Sequence, residues 1–381
     1  MNKEIIIIGA GLAGCTIARL LADNNHKIKI FEEKNHIGGN LYDFHNIKGI
    51  LVHKYGPHIF HTSYGDVWKF VNRFSKFNNY KNQVLVKLNK KSIKLPINLD
   101  GIKELFPKEF EVFNKEIENK KIKGEVVSIL NLFNTLETKE SRKIVSYVYE
   151  NVYAKYTAKM WGKTIDQLPK FILERVKINL NKEWNYFPLD KYQGLPVDGY
   201  TNMLEKMLDN KNITIEFNKN IVDELVIKKN KVYFEGREVT VFYTGMIDKF
   251  FDFKHGELEY RSLNIKFENH DVTSFQDTAV VNYPLHKTMT RITEYKKMTL
   301  QNKKGVTTIS KEYPGRYDKD DKIFHTPFYP INDDKNQKML NKYLKQANKI
   351  ENFYLAGRLA EYKYYDMDDI IFECIKNYKE F

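Results

Sequence analysis

Residues 4–14 read EIIIIGAGLAG. Four consecutive isoleucines show no apolar–polar alternation, which is the pattern of a strand buried on both faces of a parallel sheet. Glycines follow at Gly9, Gly11 and Gly14, and helical apolar periodicity then runs through Leu20 and Leu21. The run KIKIF, ending at Phe31, is a second strand, with Glu32 directly after it. A strand, a GxGxxG turn, a helix, a second strand and an acid make one βαβ unit for a dinucleotide. Gly9 permits the tight turn, and Gly11 lets a pyrophosphate approach the backbone at the helix N-terminus. Gly14 lets the helix pack on the strand. Glu32 lies 21 residues past Gly11, where a carboxylate can accept from a ribose 2′-OH.

The dinucleotide can be narrowed further. After Glu32 and Glu33 the chain continues to Gly38-Gly39-Asn40, and Ala18 stands four residues past Gly14. An acid followed by a Gly-Gly pair resembles the FAD fingerprint of glutathione-reductase-type flavoproteins. No second GxGxxG follows in the chain, so a separate NAD(P)H domain is not expected. The C-terminal run 354–369, YLAGRLAEYKYYDMDD, fits the same site. Tyr354 to Gly357 read as a late strand returning to the sheet. Arg358 can donate to a pyrophosphate, and Asp366 and Met367 open a helix whose N-terminus faces the flavin.

Charge decides between classes of partner. The formal net charge is +13, yet nine of the 62 cationic residues are Arg and the remaining 53 are Lys spread among acids. That is a solvated lysine surface, not the clustered footprint of a nucleic-acid binder. Two cysteines, Cys15 and Cys374, make neither a disulfide framework nor a metal site. The longest apolar runs fall short of a membrane span, and the N-terminal apolar stretch lacks the cleavage region of a signal peptide. A cytoplasmic protein is expected.

Residues 84–97 read as a β-hairpin, and 98–175 turn helical, with Pro107 in the first turn of a helix and Thr138 as an N-cap. Strands dominate 231–310, and a helical segment near 333–348 leads into the final strand. The expected fold class is α/β. A Rossmann-like FAD-binding domain (1–80, 196–255 and 345–381) carries an inserted helical bundle (98–175). An antiparallel β-sheet domain (81–97, 176–195 and 256–344) completes it.

Eight stretches then carry a family resemblance over essentially the whole chain. They are HIGGN (36–40), KYGPHIFHT (54–62), YTAKMWG (156–162), the run from Asn185 to Leu208, EYRSL (259–263), TRITEY (290–295), KEYP (311–314) and GRLAEYKYYDM (357–367). In these the sequence resembles the UDP-galactopyranose mutases. The resemblance implies a flavoenzyme that interconverts UDP-galactopyranose and UDP-galactofuranose without net redox change. It implies ring contraction through a bond between flavin N5 and the sugar's anomeric carbon, with FAD active when reduced. It also implies a homodimer that supplies galactofuranose for cell-surface polysaccharide.

The residues make chemical sense beside the resemblance. Tyr156, Trp161, Tyr186 and Phe187 offer flat faces for a uracil ring. Arg175 and Arg291 present planar forks suited to diphosphate oxygens, and the resemblance places both on the UDP pyrophosphate as catalytic residues. Asn82, Asn282, Tyr313 and Tyr364 resemble the family's remaining substrate contacts. Around the cofactor the expected residues are Gly9, Gly11, Leu12, Gly14, Glu32, Glu33, Gly39, Asn40, His58, Ile59, Gly357, Arg358, Asp366 and Met367. His53, His58 and His61 do not have metal-site spacing; the resemblance sets His58 against the isoalloxazine. Met160 and Met246 depart from the family pattern without touching an assigned role. A mutase preferring the N-acetylated sugar, and a flavin oxidoreductase on the same fold, remain as alternatives.

Overall fold

The computed structural model describes residues 4–122, 126–164, 177–180, 182 and 184–381. They form two compact units. The first comprises Met1–Asn79, Asp190–Ser262 and Arg316–Phe381; the second comprises Tyr80–Leu189 and Leu263–Gly315.

The first unit is built on a parallel sheet. β1 (Glu4–Ile8) leads through helix α1 (Leu12–Asp23) to β2 (Ile28–Phe31); β3 (Ile213–Glu216), β4 (Arg237–Tyr243) and β5 (Phe353–Leu355) join them. The spatial order is β3-β2-β1-β4, with β5 on the far side of β4, and every one of these pairs is parallel. A hairpin, Val226–Lys228 with Lys231–Phe234, adds antiparallel strands at the start of β4. The isoleucine run behaves as its composition demands. Ile5 and Ile7 face one core with α1 and the helices Gly199–Leu208 and Met367–Tyr378, whereas Ile6 and Ile8 face the other with Tyr343 and Phe353. Cys15 and Cys374 are free and buried.

The second unit packs helices Leu99–Leu105, Phe110–Asn119, Ile129–Thr135 and Lys139–Val148 with a largely antiparallel sheet. In that sheet Thr307–Arg316 lies beside Arg291–Glu294, followed by Val280–Asn282, Val84–Leu88 and Lys91–Leu95. The expected hairpin at 84–97 is present, with Val84 opposite Leu95. Thr138 caps its helix, accepting from the Ser141 N–H at 3.3 Å. Pro107 differs from expectation: the next helix begins at Phe110, with Glu109 in the N-cap position, and Pro107 lies in the turn before it. The helical stretch and the sheet, expected as two domains, fall in one unit, while 190–195, 256–262 and 316–344 fall in the first. The reason is stitching. Tyr153 from the helical stretch accepts from the Ile97 N–H at the end of the hairpin (3.5 Å), and the Ile97 carbonyl accepts from the Asn179 N–H (2.8 Å).

Candidate functional site

A parallel sheet brings the C-terminal ends of its strands to one edge, where helix N-termini and loops make a crevice. The first unit has a cavity of about 450 Å³ there. Each parallel strand or the residues following it contributes to the wall. Gly9 and Gly11 follow β1, Glu32 and Glu33 follow β2, and Lys219 follows β3. Thr244 follows β4, and Gly357 with Arg358 follows β5.

The glycines are explained atom by atom. Gly9 has φ +103, and a Cβ there would lie 2.2 Å from Thr244 Oγ1. A Cβ on Gly14 would lie 2.0 Å from the Gly9 carbonyl oxygen, so α1 could not sit this close to the turn. Gly14 does its work behind the cavity and does not line it. A Cβ on Gly11 would meet nothing within 4 Å. Gly11 is the N-cap of α1 with no side-chain cap and no acid in the first turn. The opening N–H groups and the positive end of the helix dipole therefore stand ready for an anion.

Glu32 is more committed than expected. It is 5% exposed, and its carboxylate accepts from the Ala10 N–H (2.7 Å) and the Lys34 N–H (2.9 Å). Burial pushes its pKa up, opposed by those N–H groups and by the charge of Lys34. It thus braces the turn while still lining the cavity, with lone pairs left for a hydroxyl. Glu33 pairs with Lys249 at 3.0 Å.

Arg358 lies in the wall in a fixed pose. Nη1 donates to the Phe328 carbonyl (3.3 Å) and Nη2 to the Tyr365 carbonyl. The Tyr329 and Tyr364 ring centroids lie 5.4 and 5.3 Å from its guanidinium carbon. Among the described residues Nε has no partner. The helix Met367–Tyr378 begins where the sequence indicated. Met367 lines the cavity, but Asp366 does not; it serves as N-cap, its own N–H donating to Asp369 at 3.0 Å.

Leu12, Gly39, Asn40 and His58 also line the cavity, whereas Ile59 does not. His58 is held by its backbone: its N–H donates to His53 Nδ1 (3.1 Å), and its carbonyl accepts from the Tyr200 hydroxyl (3.1 Å). His53 and Tyr200 are each 1% exposed. Burial pushes the His53 pKa down to about 3, so the ring stays neutral and keeps its acceptor. His61 pairs instead with Asp190 at 2.8 Å.

Several wall residues escaped the sequence reading: Lys219, Asn220, Thr244, Lys249, Tyr317 and Lys319. Met246, set aside as a mere departure from pattern, lines the cavity too. Thr244 and Met246 could have been found, because they follow a strand and strand ends carry such sites. Lys249 lies on the short helix Ile247–Phe250, and the others come from loops with no motif of their own.

The second unit carries the remaining candidates except Tyr364. Arg175 lies outside the described residues. Arg291 sits directly across from Asn282 on one side and Glu312 on the other, so the three share a sheet face. Arg291 Nε donates to Glu312 at 2.7 Å. Burial raises the Glu312 pKa, and Arg291 opposes the rise. Tyr313, one residue on, falls on the opposite face and packs beside Met289, Ile292 and Ile309. Asn82 accepts through its carbonyl from the Tyr186 N–H (2.8 Å), and the Tyr186 and Phe187 rings meet edge-on at 5.2 Å. Tyr156 and Trp161 ride on the helix Lys155–Trp161, partly exposed. Tyr364, in the first unit, is half-exposed over Arg358.

Comparison with known proteins gives these sites a family. The family model described as UDP-galactopyranose mutase matches residues 151–364. The chain belongs to the UDP-galactopyranose mutase family. A Rossmann-like NAD(P)-binding model covers residues 7–74. The UDP-galactopyranose mutase of Mycoplasma genitalium is 38% identical over 98% of this chain and 93% of its own. The dTDP-fucopyranose mutase of Escherichia coli is 35% identical over 99% of this chain and 97% of its own. The crystal structure of a reduced UDP-galactopyranose mutase superposes with a TM-score of 0.68 at 13% identity, covering 98% of this chain and 93% of that one. A protein titled putative protoporphyrinogen oxidase, from Exiguobacterium sp., reaches 0.66 at 11% identity, covering 99% and 98%. The fold is thus common to mutase-family and oxidoreductase-like chains, and it is sequence identity that places this one among the mutases.

Proposed function

We propose that this mutase-family enzyme binds FAD in the cavity of the first unit and interconverts UDP-galactopyranose and UDP-galactofuranose. The observation that carries the reading is 38% identity, over nearly the full length of both chains, to a UDP-galactopyranose mutase. The residues present suit the cofactor. A dinucleotide needs an uncapped helix N-terminus for its pyrophosphate, a carboxylate for its ribose and a donor near its phosphates. α1, Glu32 and Arg358 Nε supply these.

Bound and reduced, the flavin would supply an electron-rich nitrogen for the sugar's anomeric carbon. The chain's own residues hold and polarise. The Gly9–Gly11 turn admits the pyrophosphate, and the pinned His58 segment forms a firm wall. Tyr156, Trp161, Tyr186 and Phe187 offer stacking faces for the base. Arg291, oriented by Glu312, meets the diphosphate and offsets charge as it departs. Reduction by an external donor, a homodimer, a cytoplasmic location and use of the product in cell-surface polysaccharide complete the reading. No described helix is long and apolar enough to cross a membrane.

The dTDP-fucopyranose mutase relative motivates a second reading, a thymidine-linked 6-deoxy sugar as substrate. One experiment separates them. Dithionite-reduced, FAD-loaded protein is incubated with UDP-galactofuranose and, in parallel, with dTDP-fucopyranose, and products are resolved by chromatography. UDP-galactopyranose should form without consumption of O2 or NAD(P)H. Conversion of dTDP-fucopyranose alone would move the assignment to the second reading, and conversion of neither would overturn both.

A further inference from the structure

The helix Lys155–Trp161 and the hairpin from Val280 to Glu294 carry Tyr156, Trp161, Asn282 and Arg291. Between the hairpin's two strands lies a turn built as a cup. The Tyr283 N–H donates to the Thr290 carbonyl (2.7 Å), and the His286 N–H donates to the Tyr283 carbonyl (3.3 Å). His286 Nδ1 accepts from the N–H groups of Thr288 (3.1 Å) and Met289 (2.8 Å). These bonds bring the carbonyls of Tyr283, His286 and Met289 around one point. Lys159 Nζ occupies that point, donating to the three oxygens at 2.7, 2.6 and 2.7 Å.

The fit is stoichiometric: an ammonium has three donors and no acceptor. It is also not free of cost, since burial alone pushes the Lys159 pKa down to about 8, and the carbonyl dipoles offset that desolvation. Tyr156 stands three residues before Lys159, on the same face of the helix. The placement of its ring is therefore tied, through one ammonium, to the turn that joins Asn282 to Arg291.

We propose that Lys159 is a positioning residue for nucleotide recognition, fastening the helix of Tyr156 and Trp161 to the hairpin of Asn282 and Arg291 so that base and diphosphate meet one preassembled surface. This rests on the reading that these residues bind a nucleoside diphosphate. Preorganisation of this kind raises affinity by removing the ordering cost of binding. It acts on UDP affinity and KM more than on turnover at saturation.

The test is UDP titration of FAD-loaded protein by fluorescence, together with KM and kcat. Lys159→Met keeps the apolar stem and removes the donors, and should weaken UDP binding by about tenfold with a smaller change in kcat. Lys159→Arg should recover part of the loss. The cup can be opened from its other side. His286→Leu removes the acceptor for Thr288 and Met289 and should weaken UDP in the same direction, while His286→Asn keeps an acceptor and should restore it. Combining Lys159→Met with His286→Leu should cost no more than the worse single change. Lys155→Met is the control, since Lys155 Nζ donates to Asn151 on its own helical face. If the unaltered protein did not bind UDP, the nucleotide reading itself would fall. If it bound UDP while Lys159→Met and His286→Leu both stayed within about twofold of it, the positioning role would be overturned. Should Lys159→Met fail to fold, the His286 pair decides alone.

Discussion

Arg291 and Glu312 face each other across two antiparallel strands, Nε to Oε2 at 2.7 Å, and the Glu312 side chain has no exposed surface. An arginine assigned to a diphosphate is therefore already paired with a buried carboxylate. The pair orients the guanidinium fork, and it also means that Arg291→Ala does two things at once. It removes the proposed donor for phosphate, and it strands a buried acid.

The two effects can be pulled apart. A hydrogen bond to a charged group contributes about 1.5–3 kcal/mol, and each ~1.4 kcal/mol is a tenfold change in rate. Arg291→Ala should thus lower kcat/KM by about 10- to 100-fold from that contact. It should also destabilise the protein by up to about 3–5 kcal/mol, the usual consequence of breaking a buried ion pair from one side. Arg291→Met with Glu312→Gln should recover the melting temperature without recovering kcat/KM. Recovery of both would mean that Arg291 is a structural residue.

The glycine turn offers a sharper contrast. Gly14→Ala drives a methyl to 2.0 Å from the Gly9 carbonyl, a backbone atom that cannot swing aside. Overpacking of this sort costs about 1–3 kcal/mol, so Gly14→Ala should lower the melting temperature of flavin-free protein. Gly11→Ala meets nothing within 4 Å and sits at φ −75. Its flavin-free melting temperature should be unchanged, while its methyl intrudes on the cavity wall and flavin retention falls. Equal behaviour of the two variants in both measurements would contradict these roles.

That contrast shows what a sequence can carry. The βαβ unit was legible because its signals are local: a β-branched run, glycines at fixed spacing, and an acid after the second strand. The start of the helix at Met367 was legible for the same reason. Lys219, Asn220 and Tyr317 were not, because they reach the cavity from loops whose only qualification is where the sheet delivers them. The Arg291–Glu312 pair depends on strand register, and a slip of one residue would have sent Glu312 to the other face, where Tyr313 now packs. Glu32 was found, but its contact with the Ala10 N–H was not, since Ala10 becomes its neighbour only once β1 and β2 are side by side.

A second buried acid predicts how the second unit responds to pH. Glu116, 7% exposed, accepts from the Glu137 N–H (2.6 Å), the Thr138 N–H (3.2 Å) and the Thr138 hydroxyl. Burial alone would raise its pKa, but these donors and Ser141 together pull it down to about 2. The folded state therefore favours the carboxylate more than the unfolded state does. Its contribution is fully present above the unfolded value near 4.5 and is lost as pH falls toward 2. Glu116→Gln should cost about 1–3 kcal/mol at pH 7 by urea denaturation. The gap from the unaltered protein should narrow between about pH 4.5 and 3. A gap that stayed constant with pH would remove the ionised carboxylate from the explanation.

The His58 segment gives the prediction closest to the cofactor. Its N–H is taken by His53 and its carbonyl by Tyr200, both from the buried side. The segment is thus fixed before any ligand arrives, and the proposed flavin meets a wall that need not be ordered on binding. Tyr200→Phe deletes one hydroxyl and should weaken FAD retention by about tenfold, measured by equilibrium dialysis, with the fold intact by circular dichroism. His53→Phe should do the same, and His53→Asn, whose carbonyl can accept from the His58 N–H, should recover part of the loss. The pH dependence has a definite sign. The folded-state pKa of His53 is about 3, below its ordinary 6.5, so the unfolded chain binds the proton more readily. The stability it contributes is full above about pH 6.5 and falls as pH drops toward 3, and His53→Phe should flatten that part of the profile. FAD retention unchanged in both Tyr200→Phe and His53→Phe would show that His58 needs no such support.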